Sequence, residues 1–163
     1  MTPRAPLVAF VGPHNSGKTG LILKLARLAS NRGLRPGVIK RAARPLVFEP
    51  AGKDSARFAR AGAARVVTHG PGLLVMSEPV PSGLSTRELS GRFGAGIDFW
   101  LAENFAAEPV PWIAVVRRGQ PMPAPDRRLI AVVGPAVYDP ALPRFRPGAA
   151  GRLLDFLISH FGL

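Results

Sequence analysis

Near its start the chain reads Gly12-Pro13-His14-Asn15-Ser16-Gly17-Lys18-Thr19, a full match to the spacing G-x-x-x-x-G-K-[ST]. A loop of this length wraps a diphosphate with successive backbone N–H groups. It opens onto a helix N-terminus, whose partial positive charge favours anions. Glycines let the main chain approach closely and take positive φ. On this chemistry Gly12, Asn15, Ser16 and Gly17 form the cradle. Lys18 reaches the β- and γ-phosphates, and the Thr19 hydroxyl ligates Mg2+.

Such a cradle must be held between a buried strand and a helix, and the flanking residues predict both. "LVAFV", residues 7–11, is a short apolar run. Leu21, Leu25 and Leu28, with Ile22 and Ala29, recur at helical spacing until Gly33. A metal at the cradle also needs a carboxylate at the end of a neighbouring apolar strand. Glu103, which closes "FWLAE", fits that place and is the candidate catalytic and metal-linked residue. Asp98 stands at the opposite end of that strand and is assigned a structural role. Asp54 and Ser55 follow Gly52-Lys53 and read either as a second metal or phosphate contact or as a plain helix cap. His14, His69 and His160 are isolated and are assigned no chemistry.

Composition bounds the rest. At 163 residues the chain suits one domain, residues 1–163, long enough to bury a core. No segment approaches the roughly 18 uninterrupted apolar residues of a membrane span, and no cysteine is present for disulfides or thiolate metal sites. A cytoplasmic protein is the expectation. The net charge of +12 raises a nucleic-acid reading, but the arginines are scattered, and no aromatic residues interleave with them to stack bases. An anionic small ligand or an acidic protein surface fits the charge better.

Along the chain, a second strand is expected at Gly37–Arg41, followed by a Pro-punctuated loop, "ARPLVFEPAGKDS". "DSARFARAGA" predicts a short helix with Asp54 or Ser55 as N-cap. "ARVVTHGPGLLVMSE" predicts a hairpin inserted at a sheet edge. Ser85 or Thr86 with Glu88 forms a capping-box pattern for a helix reaching Phe93. Strands follow in "IDFWLAEN", "WIAVVRR" and "LIAVVG". "YDPALPRFRPGAA" reads as a loop and "GRLLDFLISHF" as a closing amphipathic helix. Apolar strands alternating with helices imply an α/β class, a mainly parallel sheet with helices on both faces. Ligands in such sheets bind at the carboxyl ends of the strands, where the phosphate loop lies.

The ordered set "VGPHNSGKT", "LRPGVIKR", "GKDSARFARAGAARVV" and "DFWLAENFAAEPVPWIAVVRR" resembles the MobB family, molybdopterin-guanine dinucleotide biosynthesis protein B, from about Leu7 to Arg117. The resemblance implies a P-loop NTPase-like fold, GTP binding with weak hydrolysis at most, and a homodimer. It also implies an accessory role beside a MobA-type guanylyltransferase and molybdopterin-bearing proteins. By the same resemblance Lys40 matches a strand-end lysine, Gly52, Lys53, Asp54 and Ser55 match a "GKDS" motif, and Glu103 matches the acidic strand end. Departures are Arg41-Ala42-Ala43-Arg44-Pro45 in place of a His-rich stretch, Asn104 in place of a glycine and Ala106 in place of a frequent lysine, while Glu49 matches the acid often found before "GKDS". The Cβ of Asn104 narrows its φ/ψ and is expected to hold its N–H off a phosphate. Arg41 and Arg44 are expected to form an anion-binding surface.

Three functions follow in order: a GTP-binding accessory protein for molybdenum-cofactor dinucleotide assembly, a module that holds a nucleotide or cofactor without turnover, and a small-molecule kinase. The kinase would need an arginine lid, for which only the Arg127-Arg128 loop is available. No N-K-x-D motif is present to read guanine, so GTP rests on the resemblance.

Overall fold

A computed structural model describes residues 5–42, 44, 46, 53–80, 83–135 and 139–163. The expectations for Gly52 and Glu49 fall outside these residues. The chain divides into two compact units, Met1–Arg41 with Ser85–Leu163, and Ala42–Leu84.

The first unit is built on a six-stranded parallel sheet. Its strands are β1 (Leu7–Val11), β2 (Pro36–Lys40), β5 (Phe99–Glu103), β6 (Trp112–Val115), β7 (Leu129–Val133) and β8 (Arg144–Phe145), in the spatial order β2-β5-β1-β6-β7-β8. The intervening β3 and β4 belong to the second unit. All of β5 and β6 is buried, as parallel strands covered on both faces require. Side chains alternate between two cores. Val8, Phe10, Phe99, Leu101, Ile113 and Val115 meet Leu21, Leu25 and Ala29 of helix α1 (Lys18–Asn31) and Leu153, Leu154 and Leu157 of α4 (Ala150–Phe161). Ala9, Trp100, Ala102, Trp112 and Ala114 face the other way, where Phe105, Ile39 and Leu89 of α3 (Thr86–Phe93) pack. The expected mainly parallel sheet with helices on both faces is therefore present.

The small residues on the second face are dictated by their neighbours. A Cβ on Gly37 would lie 2.4 Å from the Trp100 ring, so β2 can pair with β5 at this register only through a residue without one. Ser85 caps α3 with the reciprocal box expected from its sequence: its side chain accepts from the Glu88 N–H while the Glu88 carboxylate accepts from the Ser85 N–H. Asp98 accepts from the Arg35 backbone N–H at 2.7 Å and from its guanidinium at 3.3 Å, a purely structural role.

Three expectations are corrected. The segment expected as a loop contains β8, whose Arg144 and Phe145 pair with Val132 and Val133. Two residues, one of them exposed, carry no periodicity to reveal it. In the second unit, β3 (Val66–Gly70) and β4 (Leu73–Ser77) do form the antiparallel hairpin. They make a two-stranded sheet of their own and are not an edge insertion. Helix α2 (Asp54–Arg60) is capped by Lys53, in extended conformation with no side-chain hydrogen bond. Asp54 lies in the first helical turn, where it accepts from Arg57 at 3.2 Å.

Replacing Gly37 by alanine forces the new methyl against a Trp100 ring that is itself buried. We expect Gly37→Ala to destabilise the protein by about 1–3 kcal/mol, the usual cost of overpacking. The check is urea unfolding with an unchanged slope; a variant as stable as wild type would show that Trp100 can turn aside.

Candidate functional site

Three carboxyl ends of the sheet meet at one place. In register, β5 sets Glu103 beside Phe10 of β1 on one side and beside Lys40 of β2 on the other. The phosphate loop leaves β1 one residue after Phe10 and returns into α1 through Gly17, which takes φ 100. Asn15 also takes positive φ, 58, so the loop turns twice through the left-handed region, a backbone shape that forms anion-binding concavities. Gly12 is forced by proximity: a Cβ there would sit 2.0 Å from the Val115 carbonyl oxygen of β6. Helix α1 has no side-chain cap and no acid in its first turn, which leaves its first N–H groups free for an anion.

The side chains follow from this frame. Lys18 Nζ donates to the Gly12 and Pro13 carbonyls at 2.8 and 2.7 Å, so the ammonium lies against the loop. Burial lowers its pKa, and the Glu103 carboxylate opposes that shift. Thr19 Oγ1 donates to Glu103 Oε1 at 2.7 Å, and Lys40 Nζ lies 3.7 Å from Glu103 Oε2. Ser16 Oγ is buried with no hydrogen-bond partner. A concavity of about 530 Å3 runs over these groups, lined by His14 to Gly20, Lys40, Glu103, Asn104 and Arg117.

The structure thus brings together Gly12, Asn15, Ser16, Gly17, Lys18, Thr19, Lys40 and Glu103. Lys53, Asp54 and Ser55 lie in the second unit, where the Ser55 hydroxyl is buried without a hydrogen-bond partner. Asn104 departs from its expectation: it takes φ 68, the conformation a glycine would supply, and its amide donates to the Arg41 carbonyl at 3.2 Å. Asparagine tolerates this region better than other side chains, so its Cβ does not divert the backbone.

Arg41 is also not a free anion ligand. Its guanidinium pairs with Glu108 at 3.0 Å and lies 4.4 Å from the centre of the Phe105 ring. Arg44 is exposed in the second unit. The lid reading of Arg127-Arg128 weakens too: Arg128 is fixed by the Asp126 carboxylate and donates to the Glu108 carbonyl. Hydrogen bonds from Arg128 to the Asp126 carboxylate, with one from the Trp112 indole, hold that carboxyl well below the usual carboxylate range.

Two site residues escape sequence reasoning. Arg117, just beyond β6, reaches the loop, with its Nη2 3.5 Å from where a Gly17 Cβ would stand. Gln120 accepts from the Arg117 backbone N–H at 3.1 Å and donates to the His14 carbonyl at 3.0 Å, stapling the β6–β7 connection to the phosphate loop. No spacing links positions 14 and 120; only the parallel pairing of β1 with β6 does.

A family model described as MobB, molybdopterin guanine dinucleotide synthesis protein B, matches residues 7–135. The chain belongs to the MobB family. The molybdopterin-guanine dinucleotide biosynthesis adapter protein of Haemophilus influenzae is 31% identical over 135 residues, 81% of this chain and 76% of its own length. That of Escherichia coli is 34% identical over 117 residues, 70% of this chain and 67% of its own. Among solved structures, a molybdopterin-guanine biosynthesis protein B aligns with a TM-score of 0.73 at 26% identity, over 94% of this chain and 99% of that one. Bacillus subtilis MobB, at 24% identity, a TM-score of 0.70 and coverage of 96% and 98%, shares the fold. The P-loop-like α/β architecture expected from the resemblance is thereby established.

Because a Gly12 side chain would enter the β6 backbone, Gly12→Ala must displace the loop or strain the sheet. The expected result is a loss of about 1–3 kcal/mol of stability with nucleotide affinity reduced at least about tenfold, or 1.4 kcal/mol. Thermal unfolding and calorimetry on the same sample test it; wild-type values for both would remove the close approach from the account.

Proposed function

We propose that this MobB-family chain is a GTP-binding accessory protein in the assembly of the dinucleotide form of the molybdenum cofactor. The observation that carries the nucleotide part is the Thr19–Glu103 hydrogen bond at 2.7 Å beside a buried Lys18. It places a hydroxyl, a carboxylate and an ammonium on one intact cradle. These groups fit a magnesium nucleotide by their donor set. Among the described residues no cluster of three His, Cys, Asp or Glu side chains could hold a metal alone. Mg2+ commonly binds through one or two carboxylates together with substrate phosphates. Thr19 and Glu103 would hold it, and its charge would offset the charge on phosphate oxygens.

The remaining roles belong to the chain itself. The left-handed turns at Asn15 and Gly17 present N–H groups to the β-phosphate, and the uncapped start of α1 adds its dipole. Lys18 exchanges its two loop carbonyls for phosphate oxygens. Lys40 pairs with Glu103 and helps to orient it. Lys53, Asp54 and Ser55 are proposed as nucleotide or cofactor contacts on the strength of their "GKDS" motif.

Partner and assembly claims rest on the family. The adapter naming of the two relatives supports docking to a MobA-type guanylyltransferase and to molybdopterin-bearing proteins. The exposed Val67, Leu73 and Leu74 of the hairpin offer apolar area for a homodimer. No described helix is long and apolar enough to cross a membrane, which accords with a cytoplasmic location.

A second reading, binding without turnover, is favoured by one fact. Glu103 is the sole carboxylate among the described residues lining the cavity, and Thr19 and Lys40 already engage it. Hydrolysis is therefore expected well below about 1 s⁻¹, the low end of typical enzyme rates. Glu103→Gln should lower it further while GTP affinity stays within about tenfold, or 1.4 kcal/mol; phosphate release by the purified protein is the assay, and a fully active variant would show the chemistry lies elsewhere. Lys18→Ala should weaken GTP binding by about 2–4 kcal/mol, the loss of a charge-assisted contact, with the fold retained. Unchanged affinity in calorimetry on the folded variant would remove the phosphate cradle from the reading.

A further inference from the structure

A nucleotide seated by its phosphates must send its ribose and base out of the cradle, and the sheet topology leaves one direction for them. The chain leaves β1 toward β2 on one side and leaves β6 toward β7 on the other. The carboxyl ends therefore part between β1 and β6, the position at which open α/β sheets take ligands. A second concavity of about 180 Å3 opens on the β6 side of that point, at the ends of β6 and β7, and shares Ser16, Gly17, Gly20 and Arg117 with the phosphate cavity. Leu21, Val116, Val133 and Pro147 make its apolar walls, which suits the faces of a planar ring. The buried Ser16 hydroxyl, without a partner in the protein, lies in the wall common to both spaces.

The charged groups of this second space are one-sided. Lys24 and Arg117 line it, and no carboxylate does so among the described residues. Both cations are exposed and neither has a described ion pair. Arg117 is held at the loop by the Gln120 bridge to His14. A 6-oxopurine presents two adjacent acceptors, O6 and N7, which is the pattern arginine and lysine recognise. Adenine replaces O6 with an amino donor. Against two cationic donors that amino group leaves donors facing a donor, and unmet polar groups are where discrimination is largest.

We propose that this cavity takes the base of the nucleotide and reads it as a 6-oxopurine through the cationic donors Lys24 and Arg117, without a carboxylate reader for the 2-amino group. The inference rests on the nucleotide reading above and supplies the base selectivity that the missing N-K-x-D motif leaves open. Because O6 and N7 carry the recognition, the 2-amino group contributes little, and inosine triphosphate, which lacks only that group, is an equivalent ligand to GTP.

The test is calorimetry of the wild-type chain and of the Lys24→Met/Arg117→Met double variant with GTP, ITP, ATP and inorganic tripolyphosphate, each with Mg2+. In wild type, GTP and ITP should agree within threefold and ATP should bind at least tenfold more weakly. In the double variant, the GTP-over-ATP preference should fall from at least tenfold to within threefold. ITP as weak as ATP would overturn the proposal by showing that the 2-amino group is read. Equal binding of GTP and ATP in wild type would overturn it by showing no reading of the 6-position. GTP affinity unchanged in the double variant would overturn it by showing that neither cation reads the base. Equal losses of GTP, ATP and tripolyphosphate, with the GTP-over-ATP preference retained, would overturn it by reassigning the cations to the phosphates. Failure of every compound to bind wild type would remove the nucleotide reading itself, and this inference with it.

Discussion

The parallel register of β5 between β1 and β2 governs the whole site. It sets Glu103 level with Phe10 and Lys40, and from that alignment follow the Thr19 hydrogen bond, the Lys40 ion pair and the level at which the phosphate loop must leave the sheet. A slip of one residue would turn each β5 side chain to the opposite face. Glu103 would then point into one of the cores, and Trp100 would exchange places with a neighbour. The register is enforced by the two cores themselves: Phe99 and Leu101 belong with α1 and α4, while Trp100 and Ala102 need the gap left by Gly37. Apolar packing thus fixes the position of a charged group that contributes nothing to the packing.

The same economy appears around the loop. Gly12 lies against the β6 backbone, Gln120 ties the far side of β6 to His14, and Lys18 satisfies two loop carbonyls. The cradle is therefore shaped by protein contacts before any ligand arrives. Preorganisation of this kind lowers the ordering cost of binding. Part of the gain is offset, since Lys18 must give up bonds it already makes.

Legibility in the sequence tracked how local each interaction is. The phosphate loop, its strand and its helix are contiguous, and the apolar run ending in Glu103 announced both a buried strand and a carboxylate at its carboxyl end. The capping box of α3 is a four-residue pattern and was equally plain. By contrast, β8 exists only because Val132 and Val133 offer it a partner. Arg117 and Gln120 become site residues only through a strand pairing about a hundred positions away in sequence, and one arginine among many carries no mark of its own. Asn104 was misjudged for a related reason: its type predicts strain at a glycine position, whereas an amide bonded to the Arg41 carbonyl accompanies the left-handed turn. The cap of α2 was misplaced by a single residue, within the fraying common to helix ends.

The two margins of the main sheet are unequal. At one side β8 is two residues long, with Pro143 immediately before it and Pro147 two residues after it. So short a strand offers little to a further partner, and short edge strands are a common protection against unwanted strand addition. The opposite margin, β2, spans five residues and exposes Val38 to solvent. Of the two margins, β2, the strand that ends in Lys40, is the longer template for a chain from outside.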